Sequence, residues 1–323
     1  MLIFSNITIG ECMKKLISIV IPAFNEEAVI DELKKRLQKI MNTCSHYEFE
    51  VIIVENGSVD TTFERLISVH HEDPRFKIVQ LSRNFGCDGG ITAGLEYATG
   101  DAVVIMNADL QDPPELIPQF IQKWESGFEI VYGVIQKREG VNIIRRMLSR
   151  AAYMIIFKLS NHMIPENASD FRLIDRKVYL IINSLKEKNK FLRGLVVWTG
   201  FKQIGVPFER QPRFAGDSKA DFRTVWHVAM NGIFSFSYFP LKIATFLGFL
   251  LSTLTFIMAL IEIYLYFMFG REVPGFTTII LVILFCFGMI FLILGIMGTY
   301  IERIYDEVKQ RPNYIVNNAI GFK

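Results

Sequence analysis

Short apolar runs and longer stretches with helical spacing follow one another along the first part of the chain. Five apolar runs have the length of buried strands: residues 16–22, 51–55, 76–82, 102–107 and 129–134. Helical spacing occupies the segments between them: residues 27–41, 61–70, 89–98 and 114–126, the last with Asp112 as its expected N-cap. This alternation predicts an α/β fold with a doubly wound, largely parallel sheet. In such sheets ligands bind beyond the carboxyl ends of the strands, so we expect the functional residues there.

The pattern changes after Pro240, where two long apolar runs follow. Residues 243–269 contain one charged side chain, Glu262, and residues 277–300 contain none. At a rise of about 1.5 Å per residue, each run is long enough to cross the hydrocarbon core of a bilayer, about 30 Å. A pair of buried core helices is the weaker alternative, because soluble helices rarely stay apolar on every side for such a length. The sequence therefore predicts a transmembrane hairpin over residues 241–300.

Basic residues flank this hairpin on both sides. Lys242 precedes the first run, and Arg303, Lys309 and Arg311 follow the second. The positive-inside rule then places both chain termini and the α/β domain in the cytoplasm. We therefore expect an integral membrane protein.

The hairpin and the α/β pattern divide the chain into parts. Residues 142–163 and 221–240 mix basic and apolar residues as helices at a lipid headgroup layer do, with ordinary packing helices as the alternative. The predicted parts are an N-terminal extension (1–12), the α/β domain (13–220), an interfacial helix (221–240), the hairpin (241–300, with spans 243–269 and 277–300) and a cytoplasmic tail (301–323).

Composition supports a membrane protein and argues against several functions. Hydrophobic residues make up 51% of the chain, more than a soluble enzyme needs. The formal net charge of +2 lacks the basic excess of a nucleic-acid-binding protein. The four cysteines form no CxxC pair and the five histidines have no metal-ligand spacing, which fits a reduced, cytosol-facing domain without a zinc site.

Three acidic, amide-rich loops follow three of the predicted strands. Their sequences are PAFNEE from Pro22, ENGSVD from Glu55 and NADLQDPPE from Asn107. Asp109 and Gln111 alternate in what we expect to be an extended segment, which puts two oxygen donors on one side of the chain. Mg²⁺ and Mn²⁺ favour such hard ligands, with diphosphate oxygens completing the shell. Each loop alone is compatible with ordinary turn chemistry, but their joint order predicts a cradle for a nucleotide and a divalent cation.

Further motifs connect these loops to a known family: LSRNFG at Leu81, SDFRLIDR at Ser169, RFAGDSK at Arg213 and RPNY after the second apolar run. The chain resembles family 2 glycosyltransferases with the GT-A fold, specifically the polyprenyl-phosphate sugar synthases. These include bacterial undecaprenyl-phosphate glucosyltransferases and dolichol-phosphate mannose synthase. The resemblance runs from about residue 13 to residue 314, and as an ordered set the motifs are highly specific. The loop after the first strand has no glycine, so it lacks the GxGxxG motif of dinucleotide dehydrogenases.

The resemblance implies roles for individual residues on the donor side. Those that match nucleotide-binding residues are Pro22, Phe24, Glu26, Asn56 and Asn107. Asp109 and Gln111 match metal ligands of the family, which implies a Mg²⁺ or Mn²⁺ cofactor. The resemblance also implies a catalytic role for Asp109. The family usually has aspartate where this chain has Asn56 and Asn107. Asparagine keeps a carbonyl acceptor but lacks the charge.

On the acceptor side, the resemblance implies a lipid phosphate bound by cations and a hydroxyl: Arg145, Ser149, Arg172, Arg213 and Lys219. The structural alternatives are that Arg145 touches lipid headgroups and that Arg172 pairs with Asp175 or another carboxylate. Asp170 matches a residue proposed as general base. Because a phosphate monoester is already largely ionised at neutral pH, positioning of the acceptor or of the metal shell has nearly equal weight.

As a whole, the resemblance implies an inverting transferase that moves a sugar from a nucleotide diphosphate to a polyprenyl (undecaprenyl) phosphate. The reaction would take place at the cytoplasmic face of a bacterial inner membrane, in a homo-oligomer such as a tetramer. A UDP-sugar is the favoured donor and GDP-mannose the alternative. The nearest enzymatic rival is a processive polysaccharide synthase. Such an enzyme would usually have more membrane spans and a QxxRW motif, which this sequence lacks. The other rival is an impaired member that acts as a membrane scaffold or lipid-phosphate binder, suggested by Asn56 and Asn107 but opposed by Asp109 and Gln111.

Overall fold

The computed structural model describes residues 14–137, 168–188, 190–212, 214, 239–269 and 275–322. Its strands are β1 (Leu16–Ala23), β2 (Glu48–Glu55), β3 (Phe76–Leu81), β4 (Ala102–Ile105), β5 (Ile130–Lys137), β6 (Ala168–Asp175), β7 (Gln203–Glu209) and β8 (Val316–Ile320). Its α-helices are α1 (Ile30–Thr43), α2 (Thr62–Glu72), α3 (Gly86–Tyr97), α4 (Ile117–Glu125), α5 (Arg176–Ser184), α6 (Leu192–Trp198), α7 (Phe239–Phe269) and α8 (Phe276–Lys309). A 3₁₀ turn, Pro114–Leu116, precedes α4.

The described strands form one sheet in the order β7-β5-β6-β4-β1-β2-β3-β8. Strands β1 to β4 run parallel to one another, and β5 runs parallel to β7. Strand β6 is antiparallel to β4 and β5, and β8 is antiparallel to β3. The prediction of a mostly parallel α/β fold is confirmed. The spacing of apolar residues did not indicate β6, β7 or β8.

The central strands are apolar on both faces because helices cover both sides of the sheet. Ile17, Ile19 and Ile21 of β1 belong to a core cluster shared with α1, α2 and α4. Val20, on the opposite face, belongs to a second cluster shared with α3, α5 and α6. Burial on both faces explains why the strands read as continuous apolar runs rather than as alternating ones.

Two long apolar helices follow the sheet. They are long and apolar enough to cross a membrane over Pro240–Leu265 and Val282–Lys309, and 6% and 0% of the residues in their most apolar stretches are buried. Helix α8 continues to Lys309, beyond the predicted end of the second span. The chain then returns to the sheet, where Ser82 N–H donates to the Ile315 carbonyl at 2.9 Å and β8 pairs with β3. The predicted interfacial segments, 142–163 and 221–240, lie outside the described residues except for the first two residues of α7.

Candidate active site

The loops that follow β1, β2 and β4 lie side by side at one edge of the sheet. The last residues of β1 and β2, Ala23 and Glu55, are register partners. Asn56 N–H donates to the Ala23 carbonyl at 2.9 Å, and Met106 N–H donates to the Val20 carbonyl at 3.1 Å. The three predicted loops therefore gather at the carboxyl ends of the central strands, where parallel α/β sheets bind ligands.

The loop after β1 is held against the loop after β2. Asn25 adopts a left-handed backbone conformation with φ 53°, which asparagine tolerates better than most residues. Its N–H donates to Ser58 Oγ at 3.0 Å, and its Oδ1 accepts from Val59 N–H at 2.9 Å. Around this turn lie three half-buried residues that the sequence assigns to the nucleotide: Pro22, Phe24 and Glu26.

The Asn56 amide fastens the start of α3 to the end of β2. Asn56 is 3% exposed. Its Nδ2 donates to the Gly86 carbonyl at 2.8 Å, and its Oδ1 accepts from Phe85 N–H at 2.9 Å. Because one partner is an acceptor and the other a donor, they fix which way the amide points. An ionised aspartate cannot make both contacts, since it has no proton to donate.

The loop after β4 is a turn, and the prediction of an extended segment is wrong. Leu110 has φ 54° while its side chain is packed in the core. A left-handed backbone is strained for a bulky residue, and such strain is concentrated at functional loops. Gln111 N–H donates to Asp109 Oδ1 at 3.2 Å across this turn. The two predicted metal ligands are thus joined by a turn around Leu110 rather than by strand alternation.

The chemistry of this loop fits a magnesium or manganese ion. Asp109 is 8% exposed and Gln111 is half-buried, and both carry hard oxygen donors. In the part of the chain that the structure describes, no three His, Cys, Asp or Glu side chains are grouped as a complete metal site. A cation bound here would take its remaining ligands from water and from phosphate oxygens, as Mg²⁺ commonly does with nucleotides.

Asp112 is a buried carboxylate, and its prediction as a helix cap is wrong. The 3₁₀ turn starts at Pro114 and has no side-chain cap. Asp112 is 0% exposed, its Oδ1 accepts from Ser169 Oγ at 3.3 Å, and Oδ1 lies 3.7 Å from Arg210 Nε. Its Oδ2 has no hydrogen-bond partner among the described residues. Burial raises the pKa of Asp112 to about 6, against the opposing charge of Arg210. The side chain turns inward toward β6, away from the helix start.

The segment after β7 is tied to the same loop. Gln211 N–H donates to the Gln111 carbonyl at 3.1 Å, and Gln111 Nε2 donates to the Gln211 carbonyl at 3.4 Å. These contacts bring the start of the predicted basic loop to the Asp109 turn. The four remaining acceptor-side residues of the sequence prediction lie outside the described residues: Arg145, Ser149, Arg213 and Lys219.

Asp170 lies on β6, beyond the carboxyl end of β4. The antiparallel register pairs Arg172 with Ile105, the last residue of β4, so Asp170 lies further out beside the Asp109 turn. Arg193 on α6 donates from Nε to Asp170 Oδ1 at 2.8 Å and from Nη2 to Oδ2 at 2.6 Å. Burial favours the neutral form, but the Arg193 and Arg172 charges outweigh it and hold the pKa of Asp170 at about 2. The carboxylate is therefore ionised throughout the physiological range.

Arg172 is enclosed by its own strand. It is 4% exposed, its Nη2 donates to the Ser169 carbonyl at 2.9 Å, and its Nε donates to the Asp170 carbonyl at 3.2 Å. Nη2 also lies 3.7 Å from Asp170 Oδ1. Of the pairings weighed from the sequence, the structure shows the one with another carboxylate, while Asp175 accepts from Trp124 Nε1 at 2.7 Å. A contact between Arg172 and a lipid phosphate stays a prediction.

The first turn of α3 adds two residues that the sequence reasoning missed. Cys87 Sγ donates a weak hydrogen bond to Asn107 Oδ1 at 3.8 Å, which places the turn next to the loop after β4. Restricted hydration and the nearby Asp170 carboxylate raise the pKa of Asp88 to about 7. The sequence signal that could have found them is the LSRNFG motif, because Cys87 and Asp88 follow it directly.

Family-level similarity agrees with this arrangement of loops. The profile of glycosyl transferase family 2 matches residues 18–180. The Bacillus subtilis (strain 168) glycosyltransferase YkcC is 43% identical over 306 residues, which cover 95% of this chain and 94% of that protein. The chain belongs to glycosyl transferase family 2.

This family 2 glycosyltransferase is also similar, over nearly its whole length, to proteins named for a lipid acceptor. A bactoprenol glucosyl transferase of Shigella phage SfII is 36% identical over 303 residues, 94% of this chain and 98% of that protein. A prophage bactoprenol glucosyl transferase homolog of Escherichia coli (strain K12) is 37% identical, with 94% and 99% covered. Among solved structures, glucosyl-3-phosphoglycerate synthase of Mycobacterium tuberculosis is 19% identical with a TM-score of 0.47 and covers 67% of this chain and 75% of that one. The expected resemblance to bacterial polyprenyl-phosphate glucosyltransferases is confirmed.

Of the predicted site residues that the structure describes, those on the donor side and Asp170 lie at the same edge of the sheet. The donor-side loops meet at one edge of the sheet, and Asp170 lies beside them. Arg193 was not predicted, because its partner is 23 residues away on another element. A basic residue within a short apolar helix gave no sequence signal that pointed to Asp170.

Proposed function

We propose that this glycosyltransferase moves glucose from UDP-glucose to a polyprenyl phosphate of the bactoprenol type. The observation that carries the proposal is the 36% identity, over 94% of the chain, with a bactoprenol glucosyl transferase. A UDP-sugar is the favoured donor, and GDP-mannose is the alternative that the experiment must separate from it.

The edge formed by the loops after β1, β2 and β4 supports binding of the nucleotide. Phe24 offers an aromatic surface to a base, and Glu26 offers a carboxylate to ribose hydroxyls. The Asn56 amide is committed to Phe85 N–H and the Gly86 carbonyl. Recognition of the base and ribose therefore depends mainly on Phe24 and Glu26. The role of Asn56 is to hold α3 against β2.

Asp109 and Gln111 are the residues that would hold the divalent cation, because their hard oxygens lie at the strand ends beside the nucleotide loops. Asp109 supplies the anionic ligand, and Gln111 supplies a neutral one. When bound, the cation would offset the negative charge that builds on the departing nucleoside diphosphate. The link between Gln111 and Gln211 then holds the start of the segment after β7 next to Asp109 and Gln111.

The chemistry is a single displacement with inversion at the anomeric carbon. An oxygen of the lipid phosphate forms a bond to that carbon while the bond to the nucleoside diphosphate oxygen breaks, and the diphosphate leaves with the electron pair. A phosphate monoester, with a second pKa near 6, is mostly a dianion at neutral pH and needs little help to lose a proton. Cationic residues for the two phosphate groups are expected from Arg145, Arg213 and Lys219.

The two apolar helices support an acceptor that reaches the site from a membrane. Both α7 and α8 expose their apolar side chains along the candidate spans. A polyprenyl chain is confined to the bilayer, so an enzyme anchored there meets its substrate without having to extract it. With basic residues at both ends of the hairpin, the positive-inside rule puts the catalytic domain on the cytoplasmic side.

The direct test is incubation of purified protein, Mg²⁺ or Mn²⁺ and undecaprenyl phosphate with a panel of radiolabelled nucleotide sugars. The proposal predicts label in the lipid phase from UDP-glucose. Label from GDP-mannose alone would refute the assigned donor. Absence of label with every donor, together with retained binding of undecaprenyl phosphate, would favour the scaffold function that Asn56 and Asn107 suggest.

A further inference from the structure

An arginine on α6 holds both oxygens of the Asp170 carboxylate. Arg193 Nε donates to Oδ1 at 2.8 Å and Nη2 donates to Oδ2 at 2.6 Å. This two-point, charge-assisted geometry fixes the direction of the carboxylate as well as its place. A single hydrogen bond would leave the carboxylate free to rotate.

The pair has an open side and a closed side. The Asp170 side chain is 34% exposed, whereas the Arg193 side chain is 18% exposed. Arg193 is therefore the more enclosed partner, and the Asp170 carboxylate is the more accessible one.

The second arginine nearby contributes less to the direction of the carboxylate. Arg172 donates from Nη2 to the Ser169 carbonyl and from Nε to the Asp170 carbonyl, and its Nη2 lies 3.7 Å from Asp170 Oδ1. Arg172 thus adds positive charge, while Arg193 makes the hydrogen bonds that orient Asp170. Other charged groups around the carboxylate are Arg210 after β7, Asp112 and Asp88.

We propose that Arg193 is a positioning residue for the transfer reaction, which fixes Asp170 as an oriented anion at the site so that Asp170 acts by charge and direction rather than by taking a proton. The inference rests on the proposed function. A carboxylate whose two oxygens are both engaged by one guanidinium is stabilised in its charged form and is a poor base. The acceptor phosphate needs no strong base, so the reaction loses nothing by this arrangement. A fixed anion here suits orientation of the hydroxyl groups of the donor sugar.

A double-mutant cycle on kcat tests the proposal with four full-length proteins: wild type, Arg193→Ala, Asp170→Asn and the double variant. Transfer is measured from UDP-glucose to undecaprenyl phosphate with both substrates saturating. Arg193→Ala should lower kcat by about 10- to 100-fold, because small errors in placement have effects of that size. The double variant should be no slower than Asp170→Asn within about twofold, because a positioning residue has nothing further to contribute once the carboxylate that it positions is gone. Arg193→Lys keeps the positive charge but not the two-point guanidinium contact, so its kcat should lie between those of Arg193→Ala and the wild type.

The double variant also controls for folding. Arg193→Ala alone leaves the Asp170 charge without its main partner, which is destabilising when the group is largely enclosed. The double variant removes that charge, and its melting temperature should lie within a few degrees of that of Asp170→Asn, because both variants lack the carboxylate beside Arg172. Arg75→Ala is the matched remote control, because Arg75 makes the same fork to Asp73, at 2.9 and 2.7 Å, in the turn between α2 and β3. Its kcat should equal that of the wild type.

Two results would overturn the inference while leaving the proposed function intact. If the losses from Arg193→Ala and Asp170→Asn multiply in the double variant, Arg193 contacts substrate itself. If an active wild type and Arg193→Ala share the same kcat, Arg193 does not position anything that the reaction needs. A wild type that transfers no sugar from any donor would instead remove the proposed function, and this inference with it.

Discussion

Replacing Asn56 by aspartate, the residue that the family resemblance implies at this position, should destabilise the protein. Asn56→Asp turns the Nδ2 donor, 2.8 Å from the Gly86 carbonyl, into a second carboxylate oxygen. One hydrogen bond is lost, about 1 kcal/mol, and the Gly86 carbonyl is left facing an anion in a site where Asn56 is 3% exposed. An unsatisfied buried group adds about 1–3 kcal/mol, so the free energy of unfolding should fall by about 2–4 kcal/mol.

The assay is thermal unfolding of the full-length protein in detergent, at several pH values. A loss of this size corresponds to a fall of about 5–15 °C in melting temperature for a domain of this length. The deficit should be largest at pH 8 and shrink as the pH is lowered toward 5, because a protonated carboxyl can again donate to the Gly86 carbonyl. The ionised form carries the deficit, so the loss of stability must grow with rising pH.

Asn84→Asp is the matched control, in the loop between β3 and α3 that the Asn56 amide contacts. Among the residues that the structure describes, the exposed Asn84 side chain bonds through its oxygen, which accepts from Gly86 N–H at 2.7 Å, so aspartate keeps the contact. Its melting temperature should stay within about 2 °C of the wild type. Equal stability of Asn56→Asp and wild type at pH 8 would refute the role assigned to the Asn56 amide.

Three further outcomes are expected. A Cβ added at Gly94 of α3 would overlap Val20 Cγ1 of β1, so Gly94→Ala should lower the free energy of unfolding by about 1–3 kcal/mol, and unchanged thermal unfolding would contradict this packing. Arg271→Cys, between the two apolar helices, should react with an impermeant thiol reagent from outside intact cells, whereas labelling only from the inside would invert the topology. Arg213→Ala or Lys219→Ala should reduce transfer strongly with little change in melting temperature, and the opposite result would make these residues structural.

The sequence carried most information where local spacing decides the structure. Strands β1 to β5 were predicted from apolar runs, and the meeting of three loops followed from parallel pairing. Strands β6, β7 and β8 were missed because their places in the sheet depend on partners far along the chain. Pairing of β8 with β3 joins residues more than two hundred positions apart, which no local period records.

The site itself was predicted as a set of loops but not in its detailed geometry. Alternation of Asp109 and Gln111 suggested a strand, yet burial of Leu110 in the core accompanies a left-handed turn. Asp112 looked like a cap because it precedes two prolines, but tertiary packing against Ser169 and Arg210 draws it inward. Both errors have one physical cause: packing of these residues against the core overrides the local preference of the loop for an extended or helix-capping conformation.

The central claim is metal-assisted transfer of a sugar to a lipid phosphate, and one measurement tests it most directly. Labelled glucose transfer from UDP-glucose to undecaprenyl phosphate is followed for wild type and Asp109→Asn across a series of Mg²⁺ and Mn²⁺ concentrations. Asp31→Asn, which removes the charge of an exposed ion pair with Arg65 on the helical surface, is the control. The account predicts cation-dependent labelling of the lipid by wild type and control, and a loss of orders of magnitude in Asp109→Asn at every concentration. Full cation-dependent labelling by Asp109→Asn, or no labelled lipid from wild type, would contradict it.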